Sequence, residues 1–72
     1  MTEEQILVAQ ALERCTFLPG SPEKRFARDM GSRSRTLHPA ALTERQARHL
    51  ARLAWRFRRQ MPHTLVPAEK PE

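Results

Sequence analysis

Residues 43–62 read TERQARHLARLAWRFRRQMP, and the period of this stretch decides the fold. Ala47, Leu50, Ala54, Phe57 and Met61 recur at steps of three or four, which at ~100° per residue places them on one side of an α-helix. Arg45, Arg48, Arg52, Arg56 and Arg59 recur in the same way on the opposite side. One segment therefore both builds a core and presents a row of guanidinium groups. Thr43 and Gln46 have the spacing of a capping box, and Leu42 is placed to staple against Ala47. Glu44 in the first turn and Arg58 and Arg59 in the last complement the helix dipole, and Pro62 ends the helix at about Met61. The pattern predicts a helix over 43–61.

Working outward, Thr2 and Gln5 repeat the capping-box spacing and open a helix over 3–15. Leu7, Val8, Ala11, Leu12 and Cys15 share one arc of it, with Ile6 the one misplaced apolar residue. Cys15 then reads as a small core residue rather than a nucleophile. Pro19 and Gly20 break the chain, with Phe17 and Leu18 expected to plug the core beneath the turn. Ser21 is a good N-cap and Pro22 an ideal first helical residue, so a short helix is expected over 22–30, with Phe26 and Met30 inward and Gly31 as its stop. Residues 31–41 lack a helical or strand period and read as a basic, mobile loop. After Pro62 come Pro67 and Pro71, the mark of an extended or disordered tail over 63–72, with Leu65 and Val66 able to fold back onto the core. The expected fold is all-α: a small three-helix domain over 1–62 with a short Pro-rich C-terminal tail. Its expected core is Val8, Leu12, Phe17, Phe26, Leu50, Phe57 and Met61.

Seventy-two residues leave room for one core and no deep catalytic cleft. A formal charge of +5 favours phosphate polyanions or an acidic protein surface over neutral ligands. Eleven of the thirteen basic residues are Arg, whose planar fork grips phosphate or carboxylate with two bonds. A GC-rich genome produces the same bias, but not its placement on one helix face. Cys15 is the only cysteine, so no intrachain disulfide forms and a reducing compartment is expected. With no export-type N-terminus and no apolar run near the ~20 residues of a membrane span, the expectation is a soluble cytoplasmic protein.

The row from Arg45 to Arg59, about 14 residues or ~21 Å at ~1.5 Å per residue, spans several phosphates of a duplex or a folded RNA. An ordinary solvated face mixes signs, whereas the arc of Arg45, Arg48, His49, Arg52, Arg56 and Arg59 carries no acid. Like charges at i,i+4 destabilise a helix, so a counter-charge from elsewhere is expected. Trp55 borders the row; it reads as a core-edge residue with one wet face, or as a ring that stacks on an exposed base or lies against Arg side chains. Lys24, Arg25, Arg28, Arg33 and Arg35 form a second basic cluster that continues the row if the second helix and its loop pack beside the third. Arg58 falls toward the apolar margin, in reach of a carboxylate on the first helix.

Other chemistries find no support. About eleven residues separate the second and third helices, too many for a helix-turn-helix. Cys15, His38, His49 and His63 lack the paired spacings of a structural zinc site. No nucleophile, base and acid arrangement and no Gly-rich phosphate loop is present, so neither an enzyme nor a cofactor is expected.

The run CTFLPGSPEKRFARDM over Cys15–Met30, together with the Leu42–Gln60 helix ending in RFRRQ, resembles a group of small basic proteins encoded in bacteriophages and prophages. The resemblance implies context rather than an activity. Small phage proteins commonly bind nucleic acid, or attach to a host protein and block it as anti-CRISPR proteins do. The two functional expectations follow. The first is a non-enzymatic nucleic-acid-binding accessory or regulatory protein, contacting DNA or RNA phosphates from its third helix. The alternative is an inhibitor or adaptor docking on an acidic or nucleic-acid-binding host protein, through the arginines or through Trp55 and Leu53. Homo-oligomerisation is a further expectation for so small a core.

Overall fold

Each helix starts where a hydroxyl side chain takes up an amide that the helix itself leaves unbonded. In the computed structural model, which describes residues 1–71, these helices are α1 (Glu3–Glu13), α2 (Pro22–Ser34) and α3 (Glu44–Arg56). Thr2 Oγ1 accepts from the Gln5 amide at 3.1 Å while Gln5 Oε1 accepts from the Thr2 amide at 3.0 Å. Thr43 and Gln46 repeat the reciprocal pair at 3.1 and 3.0 Å. Ser21 Oγ accepts from the Lys24 amide at 3.3 Å, with Pro22 leading the helix. Caps of this kind contribute about 1 kcal/mol each. No strand occurs among the described residues, and the all-α, three-helix fold is the one the periodicity predicts.

The helix ends depart from the sequence expectation. α2 does not stop at Gly31 but runs on to Ser34, whose buried hydroxyl donates to the Gly31 carbonyl at 2.6 Å. Gly31 is buried against α1, and a Cβ built there would overlap the Glu13 carboxylate and stand 3.2 Å from Glu13 Cβ. The residue is glycine for close approach of two helices, not for a turn. The turn glycine is Gly20, at φ 75° in the Phe17–Ser21 connection.

At the other extreme α3 ends at Arg56, five residues short of Met61. Phe57 leaves helical geometry at φ −102° and ψ 25°, and Arg58–Gln60 forms a 3-10 turn. The early exit turns Phe57 edge-on to Phe17 with centroids 4.7 Å apart. It also lets Gln60 bracket Thr16, accepting from its amide at 2.7 Å and donating to its carbonyl at 3.4 Å. Met61 then drops into the core beside Cys15, whose sulfur lies 3.7 Å from the Met61 sulfur. Burial pushes the Cys15 thiol above its ordinary pKa, and Ala11 and Met61 are its neighbours.

α1 packs against both other helices, and the core lies between the three. Its buried residues are Val8, Ala9 and Leu12 from α1, Ala27 and Met30 from α2, Leu50, Leu53 and Ala54 from α3, and Met61. Phe17, Phe26 and Phe57, expected at the centre, instead form a half-buried border around it. Two further expectations are corrected. Leu7 is 47 % exposed and Leu18 80 % exposed, so neither fills the core. α1 carries apolar residues at 6, 7, 8, 9, 11 and 12, most of its circumference, so its own pattern does not choose the buried face.

The loop after α2 is shorter than expected and tied down, with the Met1 amino group donating to the carbonyls of Pro39 at 3.1 Å and Ala40 at 2.8 Å. Beyond Pro62, His63–Leu65 makes a second 3-10 turn, and Leu65 and Val66 fold back against the core. The radius of gyration, 11.2 Å, matches the ~11 Å of a compact chain of this length. The last position of the expected tail, Glu72, lies outside the described residues. No helix among the described residues is long and apolar enough to cross a membrane.

Candidate nucleic-acid interface

Burying Leu50, Leu53 and Ala54 fixes the rotation of α3, so that Arg45, Arg48, Arg52 and Arg56 emerge together on its exposed side. Over eleven residue steps this row extends roughly 17 Å. Arg59, the fifth member expected from periodicity, lies beyond the helix, exposed in the 3-10 turn that follows Phe57.

Counter-charges reach the row from two directions. Glu44, four residues before Arg48, accepts from it at 2.7 Å. Glu23 at the start of α2 accepts from Arg56 at 3.1 Å. The arc free of acids in sequence is thus met in space by carboxylates at Arg48 and Arg56. These pairs are exposed on their arginine side, where water and salt screen them and a competing phosphate can replace the carboxylate. Among the described residues no carboxylate lies within ion-pair distance of Arg45.

α2 does pack beside α3. Phe26 lies against His49 with ring centroids 4.1 Å apart, and Glu23 reaches Arg56. Three residues back along α2 therefore answer seven residues forward along α3. The second basic cluster nevertheless divides around α2 instead of extending the row. Arg33, seven residues after Phe26 and so on the same stripe, lies in the last turn of the helix and pairs with Asp29 at 3.4 Å. Lys24 and Arg28 line a separate cleft of about 390 Å³ with Glu13, Cys15, Thr16 and Phe17. Arg35 caps α2 and binds Glu13 on α1 at 2.8 Å, an interaction that raises the pKa of its guanidinium. Arg25 is exposed on the outside of α2.

The carboxylate partner on α1 is thus taken by Arg35, not by Arg58. Arg58 instead turns back over Trp55, its guanidinium 4.5 Å from the ring centroid and its Nη1 donating to the Trp55 carbonyl at 3.0 Å. Trp55 is half-buried. Sequence reading placed Trp55 at the border of the row and allowed it to lie against an Arg side chain; that this is Arg58 depends on α3 ending at Arg56. Leu53, considered as a docking residue, is 3 % exposed and belongs to the core. Lys70 and Pro71, unassigned from sequence, lie beside Arg52, Trp55, Arg56 and Arg58 around one open cleft. No protein family, curated protein or solved structure matches the chain.

Proposed function

We propose that the protein is a non-enzymatic nucleic-acid-binding accessory or regulatory protein whose third helix contacts phosphates. The observation that supports this reading is the row of Arg45, Arg48, Arg52 and Arg56, all exposed on one side of a helix that a capping box holds at its start. Guanidinium groups along ~17 Å meet successive phosphates of a strand without reading base edges, so affinity is electrostatic and weakly sequence-selective. The charge of +5 supplies attraction at a distance.

The test is a fluorescence-anisotropy titration against labelled DNA and RNA over a salt series. Each phosphate contact contributes ~0.7–0.9 to the slope of log affinity against log salt, so Arg45→Ala/Arg52→Ala is expected to reduce that slope by roughly 1.5. Salt-insensitive binding, or none at low salt, overturns this reading in favour of docking on a host protein.

A further inference from the structure

An open cleft lies between α3 and the returning chain end. It measures about 530 Å³ and is lined by Arg52, Trp55, Arg56, Arg58, Lys70 and Pro71. Two properties separate it from the rest of the cationic face. Among the described residues its charged lining groups are all cations, Arg56 also reaching Glu23 outside it, whereas Glu44 lines the neighbouring hollow with Arg45, Arg48, His49 and Arg52. It also holds the chain's one tryptophan, whereas the ring of the neighbouring hollow, His49, is covered by Phe26.

The Arg58 guanidinium is already positioned over the indole at 4.5 Å and is fixed there by its bond to the Trp55 carbonyl. A planar cation held over a ring is a stacking surface on which a further flat group can lie, and guanidinium planes stack on unpaired bases as aromatic rings do. Arg52 and Arg56, one helical turn apart, flank the same cleft at the spacing from which cations follow a backbone. A base inside a duplex is already stacked on both faces and offers no free face to this platform.

From this juxtaposition we infer that the chain is a single-strand binder: an unpaired base stacks at the Trp55–Arg58 platform while Arg52 and Arg56 hold the adjoining phosphates. The inference rests on the nucleic-acid reading above and sharpens it to a class of nucleic acid. Duplex binding through the α3 row alone needs neither the platform nor the cleft.

The lone tryptophan makes the test direct. Intrinsic fluorescence is followed while the full chain is titrated with a dT oligonucleotide of about ten nucleotides, its RNA counterpart and a duplex of equal length, alongside anisotropy. Binding is expected to quench Trp55 with the same midpoint that anisotropy gives, and single strands are expected to bind more tightly than the duplex. Arg58→Lys keeps the charge and removes the plane, and Trp55→Ala removes the ring; stacking contributions of this kind correspond to roughly 5- to 150-fold in affinity per base. Because Arg58 is exposed, its replacement leaves the core intact and keeps the test readable even where Trp55→Ala unfolds the chain. Equal or tighter duplex binding without quenching, unchanged in Arg58→Lys, overturns this inference and leaves the phosphate-contact reading standing. Absence of binding to every probe at low salt overturns both.

Discussion

The seam between α1 and α2 and the outer face of α3 are built on opposite rules. At the seam, Gly31 lets a helix approach until a Cβ there would displace the Glu13 carboxylate, and the charge there is answered at once by Arg35. On the outer face of α3, arginines stand in a row above small and branched core residues, with Glu44 and Glu23 meeting Arg48 and Arg56 through exposed pairs. Where the helices meet most closely, at Gly31, packing leaves no room for a ligand, because interiors are filled to crystal-like density. Exposed guanidinium groups contribute little to stability and are free to exchange carboxylates for phosphates. The molecule thus separates what holds it together from what it presents.

The largest effect expected from breaking this division is at the seam. Gly31→Leu puts a branched side chain where α1 already stands, and overpacking of this kind costs typically 1–3 kcal/mol. For a domain of this size each kcal/mol lowers Tm by about 4–8 °C, which thermal melts followed by circular dichroism will resolve. Gly31→Ala is the sharper control. It displaces the Glu13 carboxylate from Arg35 but gains up to about 1 kcal/mol of helix propensity, so a near-neutral melt is expected. If leucine is tolerated as well as alanine, the close approach of α1 and α2 is not a constraint on the fold.

On the α3 face, Glu44→Gln removes the carboxylate that holds Arg48. Nucleic-acid affinity at low salt is expected to rise by about 1.5- to 5-fold, the range corresponding to release of one exposed pair. An unchanged affinity would mean that Arg48 takes no part in binding. The change belongs to the face alone, so circular dichroism should show the fold unaltered.

The smallest effect lies at Cys15, between the two regions. Its folded-state pKa is raised by burial, so the folded state favours the neutral thiol. That preference is fully present below the unfolded-state pKa and is lost as pH rises through the folded-state value. Urea stability should therefore fall slightly with rising alkaline pH in the native sequence, and Cys15→Ala should lack that component. Identical pH profiles would show that the thiol is as well solvated in the fold as in the open chain.

Much of this was legible in the residues themselves. Thr2, Ser21 and Thr43 announce the helix starts because capping is a local interaction between a side chain and an amide three residues on. The α3 arginines could be read because a strongly amphipathic helix has one stable way to lie on a core. α1 defeated the same reasoning: with apolar residues on most sides, its buried face is chosen by α2 and α3, and Leu7 is left outside. Gly31 looked like a stop because glycine commonly ends helices, while its role as a contact surface appears only when Glu13 is beside it.

The candidate site divides along the same line. Sequence alone determined that the chain is helical, where its helices begin, that its charge is cationic, and that Arg45, Arg48, Arg52 and Arg56 share a face, since each follows from composition or from a period within one segment. Only tertiary structure decided that α3 ends at Arg56, that Glu23 answers Arg56, that Arg35 takes Glu13, and that Arg58 lies over Trp55 beside Lys70 and Pro71. Glu23, Glu13, Lys70 and Pro71 sit on other segments, and the exit at Phe57 is set by packing on Phe17, so no periodicity within α3 encodes these contacts. They exist because three helices and a returning chain end bury their apolar sides together, and the polar groups at the margins take the partners which that packing brings within reach.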